Sequence, residues 1–210
     1  MSSSNLYDSK VRVASEAIVI IDIVQATATS NLFGWYAVGR RLVHELRQLV
    51  LKIGEKYGLT CIKSTGDGFL LTYSNSTAAE LSALNAVKAS LELLENLAKR
   101  NQEVAEERKL DIRFAIHFGE VDVLEQDREG PNISYTFRLE SINTKSLIEA
   151  INPIDPDDFP LRNYVLCSEH VSNICTRHEA TWTLKSCGLF KLKGFSGRWE
   201  VFLVEATGDK

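Results

Sequence analysis

The run Ala17-Ile18-Val19-Ile20-Ile21 is apolar, β-branched after its first residue, and ends on Asp22. Such residues favour an extended chain, and a run without polar alternation predicts a strand covered on both faces at the centre of a sheet. The end of the run is the constraint. A carboxylate closing a buried strand loses hydration, so its charge must be offset, and a divalent cation shared with a second carboxylate does this well. Asp67 is the second candidate. It lies in Lys63-Ser64-Thr65-Gly66-Asp67-Gly68, between Thr60–Lys63 and Phe69–Tyr73, which read as the strands of a hairpin whose glycines permit positive φ. Taken alone, Asp22 also reads as a cap for the following helix, and Asp67 as an ordinary turn aspartate.

Elements alternate along the chain. Thr29 or Ser30 can cap a helix with apolar positions Val38, Leu42, Leu46, Leu49 and Ile53, ending near Gly58. A second helix is expected from Thr77 to about Ala105. Leu110–Phe118 reads as a strand broken by Gly119, with Val121–Leu124 as its antiparallel partner. Ser134–Ala150 reads as helical and 152–162 as an acidic loop. Tyr164–Cys167, Phe190–Lys193 and Trp199–Glu205 read as strands, with a short helix from Ser168 or Glu169. This order predicts an α+β fold, a mainly antiparallel sheet covered by helices.

The 210 residues, 44% hydrophobic and 25% charged, suit one domain with one core, expected over 13–206 with flexible ends at 1–12 and 207–210. A net charge of -4 gives no broad basic footprint, which argues against nucleic acid as partner. No apolar run approaches the roughly 20 residues needed to cross a membrane, and the N-terminus lacks a signal-peptide pattern, so a cytoplasmic location is expected. Cys61, Cys167, Cys175 and Cys187 have no Cys-x-x-Cys spacing and read as reduced core residues.

Five segments, in order, carry a resemblance. Ile21-Asp22-Ile23-Val24-Gln25-Ala26-Thr27 and Lys63-Ser64-Thr65-Gly66-Asp67-Gly68 resemble the two metal motifs of class III nucleotidyl cyclases, the family that makes cyclic AMP and cyclic GMP. Arg113 to Glu120 resembles that family's central strand and glycine turn, Arg138-Leu139-Glu140-Ser141 its catalytic helix, and Leu192-Lys193-Gly194-Phe195 its late lysine-glycine strand. The resemblance implies a single catalytic domain of ferredoxin-like, mainly antiparallel type. It also implies attack of the ribose 3′ hydroxyl on the α-phosphate of its own triphosphate, with two divalent ions, Mn²⁺ or Mg²⁺, lowering the hydroxyl's pKa and offsetting charge on the leaving pyrophosphate.

By the same resemblance Asp22 and Asp67 bridge the metals, and the Ile23 carbonyl is a third ligand. Amides from Val24 through Gln25, Ala26 and Thr27 face the phosphates. Arg138 neutralises the α-phosphate and Lys193 holds the triphosphate, roles suited to a planar fork and a point charge. On their own, Arg138 also reads as an exposed helix residue paired with Glu140, Lys193 as a solvated strand lysine, and His117 as a packed, hydrogen-bonded histidine. Ser134 takes the place of the family's asparagine four residues before the arginine, with Asn132 nearby.

The resemblance also bears on substrate and assembly. Lys63 stands where adenylate cyclases carry a base-reading lysine. A lysine only donates, so it suits adenine N1, cytosine O2 or N3, or uracil O2 or O4. The segment between Glu120 and Gly130 is shorter than in typical adenylate cyclases, and Asp127, although near, is not equated with their adenine-reading aspartate. The chain reads as a catalytic domain alone, most like the stand-alone bacterial pyrimidine cyclases of antiphage defence, which make cyclic UMP or cyclic CMP to activate an effector; UTP is preferred to CTP. The family's composite sites imply a homodimer, with Asp22 and Asp67 facing Arg138, Lys63 and Lys193 of the second copy, and with Phe33, Trp35 and Tyr36 as interface or core residues. The rival readings are an adenylate cyclase, an inactive cyclase-fold binding module, and a diguanylate cyclase or polymerase-palm relative.

Overall fold

The structure, a computed structural model, describes residues 11–24, 39–125 and 127–206. Of the expected ends 1–12 and 207–210, residues 1–10 and 207–210 lie outside these residues, as do Gln25, Ala26 and Thr27, the proposed cap at Thr29 or Ser30, and Phe33, Trp35 and Tyr36.

The apolar run lies in β1, Arg12–Ile23, which pairs antiparallel with β3 on one side and β4 on the other. The other elements are α1 (Arg40–Lys56), β2 (Leu59–Ser64), β3 (Gly68–Tyr73), α2 (Leu81–Gln102), β4 (Ile112–Leu124), β5 (Asp127–Glu129), α3 (Pro131–Glu140), β6 (Tyr164–Ser168), α4 (Glu169–Arg177), β7 (Thr183–Phe190) and β8 (Trp199–Glu205). The described strands form one sheet in the order β2-β3-β1-β4-β6-β8-β7, with β5 added to β4. Only the β4–β6 pairing is parallel among these neighbours. The fold is therefore α+β with a mixed, mostly antiparallel sheet, as the element order predicted.

Alternation along β1 divides the molecule. Ala17, Val19, Ile21 and Ile23 join Leu46, Val50, Val87, Leu93 and Phe114 in the core under α1 and α2. Ile18 and Ile20 point the other way, onto Leu70, Val121 and Ile133 of α3. Glu16 and Asp22 belong to this second face, because side chains two residues apart on a strand share a side. One central strand thus carries a hydrophobic face and a face with a carboxylate near each end.

Three expected boundaries differ. β4 runs unbroken through Gly119, still paired to β1 there, so Val121–Leu124 continues the strand and the hairpin partner is the short β5. Gly119 is needed for space: a Cβ at this position would lie 2.6 Å from the Asn132 side chain. The helix expected over Ser134–Ala150 is α3 alone, ending at Glu140; residues Thr144–Glu149 form a 3₁₀ segment capped by Asn143, whose side chain accepts from the Lys145 amide. The late strand is β7, Thr183–Phe190, which leaves Lys193 in the following turn. The four cysteines are buried and form no disulfide among the described residues, and Ser168 caps α4 by accepting from the Val171 amide, both as expected.

The hairpin tip is held tightly against β1. Gly68 stands opposite Asp22, and a Cβ there would lie 1.9 Å from the Ile21 carbonyl oxygen. Gly66 supplies the positive φ of 107°, so the two glycines serve different needs. Gly68→Ala should destabilise the fold by about 2 kcal/mol or more, since backbone has to move to admit one methyl; a denaturant midpoint unchanged from wild type would contradict this packing.

Candidate functional site

Asp22 and Asp67 come together at the same end of two paired strands. Asp22 is opposite Gly68, and Asp67 is the residue before it. Their charges interact: burial raises the Asp22 carboxyl above its ordinary range, Arg113 lowers it, and the charge of Asp67 raises it again. Arg113, opposite Asp22 on β4, places Nη2 2.9 Å and Nε 3.0 Å from Asp22 Oδ2. Its Nε is also 2.6 Å from Oε1 of Glu140, at the end of α3. That second approach is a charge contact, because Glu140 Oε1 is buried without a hydrogen bond. Glu140 therefore pairs with Arg113 and not with Arg138 as one reading held.

Two carboxylates, Asp22 and Glu140, share the Arg113 guanidinium, and the charge of Asp67 acts on both. Burial pushes the Glu140 carboxyl up to about 7 even though Arg113 opposes it. The local surplus is negative and the donors are hard oxygens, which fits a divalent Mg²⁺ or Mn²⁺ site. Among the described residues no group of three or more His, Cys, Asp or Glu is arranged to hold a metal. Asp22 and Asp67, with the Ile23 carbonyl between strand and loop, are the protein atoms that would bind one. The Val24 amide donates to the Asp111 carbonyl at 2.8 Å and is not available to phosphate, contrary to its expected role.

Arg138 and Lys193 open on a different place. With Lys145, Lys191 and Glu149 they line a cavity of about 340 Å³ between α3, the 3₁₀ segment and the turn after β7. Four cations around one carboxylate suit a polyphosphate. Among the described residues Arg138 makes no ion pair, and Ser134 is exposed one helical turn before it. Asn132 is committed elsewhere, donating from Nδ2 to the Glu120 carbonyl (2.8 Å) while Oδ1 meets His117 Nε2 (3.1 Å). His117 also meets Ser168 Oγ at 2.8 Å, and burial lowers it to about 4: the packed, hydrogen-bonded histidine its strand position suggested. A larger cavity, about 480 Å³, lies between α2 and β8 and contains none of these residues.

A third feature was missed by sequence reasoning. Lys63 Nζ donates to Asp127 Oδ2 at 2.5 Å, so the lysine has the acceptor partner that the shortened segment seemed to lack. This bond holds the Lys63 pKa up and the Asp127 pKa down. The signal was the brevity of the turn: three residues of β5 return beside β4 and bring Asp127 over β2. Arg113 was equally overlooked as a site residue; its place six residues before Gly119, on a strand pairing with β1, was the available clue.

No protein-family model matches the chain, and no curated protein matches it. Solved structures do. The adenylyl cyclase CyaB from P. aeruginosa superposes with a TM-score of 0.73 at 18% identity, covering 94% of this chain and 97% of that one. An adenylate/guanylate cyclase/hydrolase from Silicibacter pomeroyi gives 0.67 at 18%, covering 94% and 99%. The guanylate cyclase domain of RhGC from Catenaria anguillulae, in complex with GTP, gives 0.68 at 14%, covering 93% and 98%. At these identities the likeness is one of fold: the chain has the fold of class III cyclase catalytic domains.

Glu140 and His117 give opposite pH dependences. The Glu140 pKa is raised from 4.5 to about 7, so its contribution to stability is complete below about 4.5 and is lost as pH rises through about 7. His117 is lowered from 6.5 to about 4, so its contribution is present above about 6.5 and is lost as pH falls through about 4. The difference between variants separates them. Without divalent metal, Glu140→Gln should gain Tm relative to wild type progressively as pH rises from about 4.5 to 7; a difference that stays flat over that interval would remove Glu140 as the titrating group.

Proposed function

We propose that the protein is a nucleotidyl cyclase, converting a nucleoside triphosphate to its 3′,5′-cyclic nucleotide and pyrophosphate. The observation that carries this reading is the pairing of Asp22 with Asp67 at adjacent strand ends, on a fold shared with solved cyclases. Two divalent ions held by these residues and the Ile23 carbonyl would supply the charge that acidifies the 3′ hydroxyl and stabilises the departing pyrophosphate. Arg113 keeps Asp22 ionised until substrate arrives, and Glu140 holds the guanidinium beside the strand end when Asp22 turns to other partners. Arg138 and Lys193, with Lys145 and Lys191 around them, receive the phosphates, and Ser134 orients the ribose from the same helix face as Arg138. In a homodimer the two groups would meet across the interface, Asp22 and Asp67 of one copy facing Arg138, Lys193 and Lys63 of the other. That arrangement yields two equivalent sites.

The base is read by Lys63 and Asp127, a donor beside an acceptor. Uracil offers O4 next to N3–H, and cytosine offers N3 next to its 4-amino group; both edges match. Guanine leaves its 2-amino donor without a partner. We favour a pyrimidine substrate, UTP before CTP, supported by the resemblance to stand-alone bacterial pyrimidine cyclases; the product would then activate an effector in antiphage signalling. A second reading is favoured by the same pair. Adenine N1 and its 6-amino group also fit Lys63 and Asp127, which makes ATP the alternative substrate.

Incubating the purified protein with Mn²⁺ or Mg²⁺ and each of the four triphosphates, and identifying products by mass, should yield mainly cyclic UMP. Mainly cyclic AMP would establish the second reading, and no cyclic product from a folded protein would leave a binding module. Asp67→Asn should lower kcat by about 100-fold or more, because losing several kcal/mol of charge stabilisation costs roughly tenfold per 1.4 kcal/mol. Turnover near wild type would sink the two-carboxylate assignment.

A further inference from the structure

Beneath the Lys63–Asp127 pair lies a second ion pair that the proposed chemistry does not use. The side chains of Glu16 and Arg128 are 2% and 5% exposed. Arg128 Nε donates to Glu16 Oε2 at 2.6 Å and Nη2 to Oε1 at 3.2 Å, a two-pronged contact. Nη1 donates to the Asp127 carbonyl at 2.9 Å, and the Arg128 amide donates to Asp127 Oδ1 at 2.7 Å. The Thr60 hydroxyl is 3.1 Å from Glu16 Oε1 and 2.8 Å from Thr72 Oγ1. The network therefore joins β1, β2, β3 and β5.

A buried pair of this kind is a poor route to stability, since apolar residues of similar volume serve as well or better. Its location suggests another use. β5 has three residues and three register pairs with β4, a ladder too short to fix its own distance from β2. Yet Asp127 reaches across to Lys63, which stands on β2 three residues beyond Thr60. The bonds that Arg128 donates, from Nη1 to the Asp127 carbonyl and from its amide to Asp127 Oδ1, fix the Asp127 side chain and backbone to the guanidinium, which Glu16 anchors from the central strand.

We propose that Glu16 and Arg128 are positioning residues that set the spacing of Lys63 and Asp127, and through it which base the site accepts. The proposal rests on the reading above that Lys63 and Asp127 contact the base. Neither Glu16 nor Arg128 touches substrate; their effect passes through the Asp127 carboxylate and the separation of β2 from β5. With β5 anchored in this way, the Asp127 side chain stays 35% exposed beside Lys63.

The test is the discrimination ratio, kcat/KM for the best triphosphate over kcat/KM for the next best, measured beside Tm. Asp127→Ala should lower the ratio by about tenfold or more, as loss of a base-reading hydrogen bond does. The double variant Glu16→Leu/Arg128→Met removes both charges while keeping volume, and should lower the ratio by a similar factor. Added to Asp127→Ala it should lower the ratio no further, because the two act through one group. Arg128→Lys, which keeps the charge but loses the fork, should fall between. If Asp127→Ala lowers the ratio and the double variant changes only Tm, or slows all triphosphates equally, the positioning role is overturned while base reading stands. If Asp127→Ala leaves the ratio unaltered, base reading fails and the proposal with it. Should the double variant not fold, Arg128→Lys and Thr60→Val decide: an unaltered ratio in both overturns the proposal, and a lowered ratio supports it.

Discussion

The structure depends on one strand having to bury one negative charge and half-bury another. β1 is paired on both edges, so it cannot move its side chains toward solvent by shifting, and a slip of one residue would turn Asp22 and Glu16 into the helix-covered core. Each carboxylate instead meets an arginine from far along the chain, Asp22 meeting Arg113 and Glu16 meeting Arg128. Breaking such a pair strands a buried charge, which is far more damaging than never having built it. These two contacts consequently tie β4 and β5 to the centre of the sheet at opposite ends of β1.

The two pairs are not equivalent. Glu16 and Arg128 satisfy each other, with hydrogen bonds on both prongs and further partners behind them. Asp22 and Arg113 do not balance, because Asp67 and Glu140 add charge that a single guanidinium does not neutralise. One end of the strand is electrostatically closed, and the other is left wanting a cation. A closed end that positions its neighbours and an open end with unbalanced charge thus belong to the same element.

Much of this was readable in advance, and what was not has a physical reason. The apolar run, its terminal carboxylate and the Gly66-Asp67-Gly68 turn are local patterns, and they led to Asp22 and Asp67. Arg113, Glu140 and Asp127 take their meaning from neighbours 91, 27 and 64 positions away, and only the sheet order brings those neighbours together. Gly119 looked like a break because glycine usually punctuates a strand; here its missing side chain makes space for Asn132. The helix expected beyond Glu140 stopped because Asn143 bonds its own backbone two residues on, which favours a tight turn over continued α-helix. Lys193 was assigned to a strand by the likeness of Leu192-Lys193-Gly194-Phe195 to a family strand, yet among the described residues no pairing extends β7 past Phe190.

Helix α3 carries Arg138 and Glu140 two residues apart, about 200° around its axis, so they leave opposite sides of one short rod. Glu140 rests on the Arg113–Asp22 contact, while Arg138 faces the cationic cavity. When Asp22 turns to other partners, Arg113 is left to Glu140 alone, so the contact at the end of α3 changes and Arg138, on the same short rod, would shift with it. In the proposed dimer that arginine serves the neighbour's site. Occupancy of one site would then be felt at the other, and linkage requires the influence to run equally in both directions.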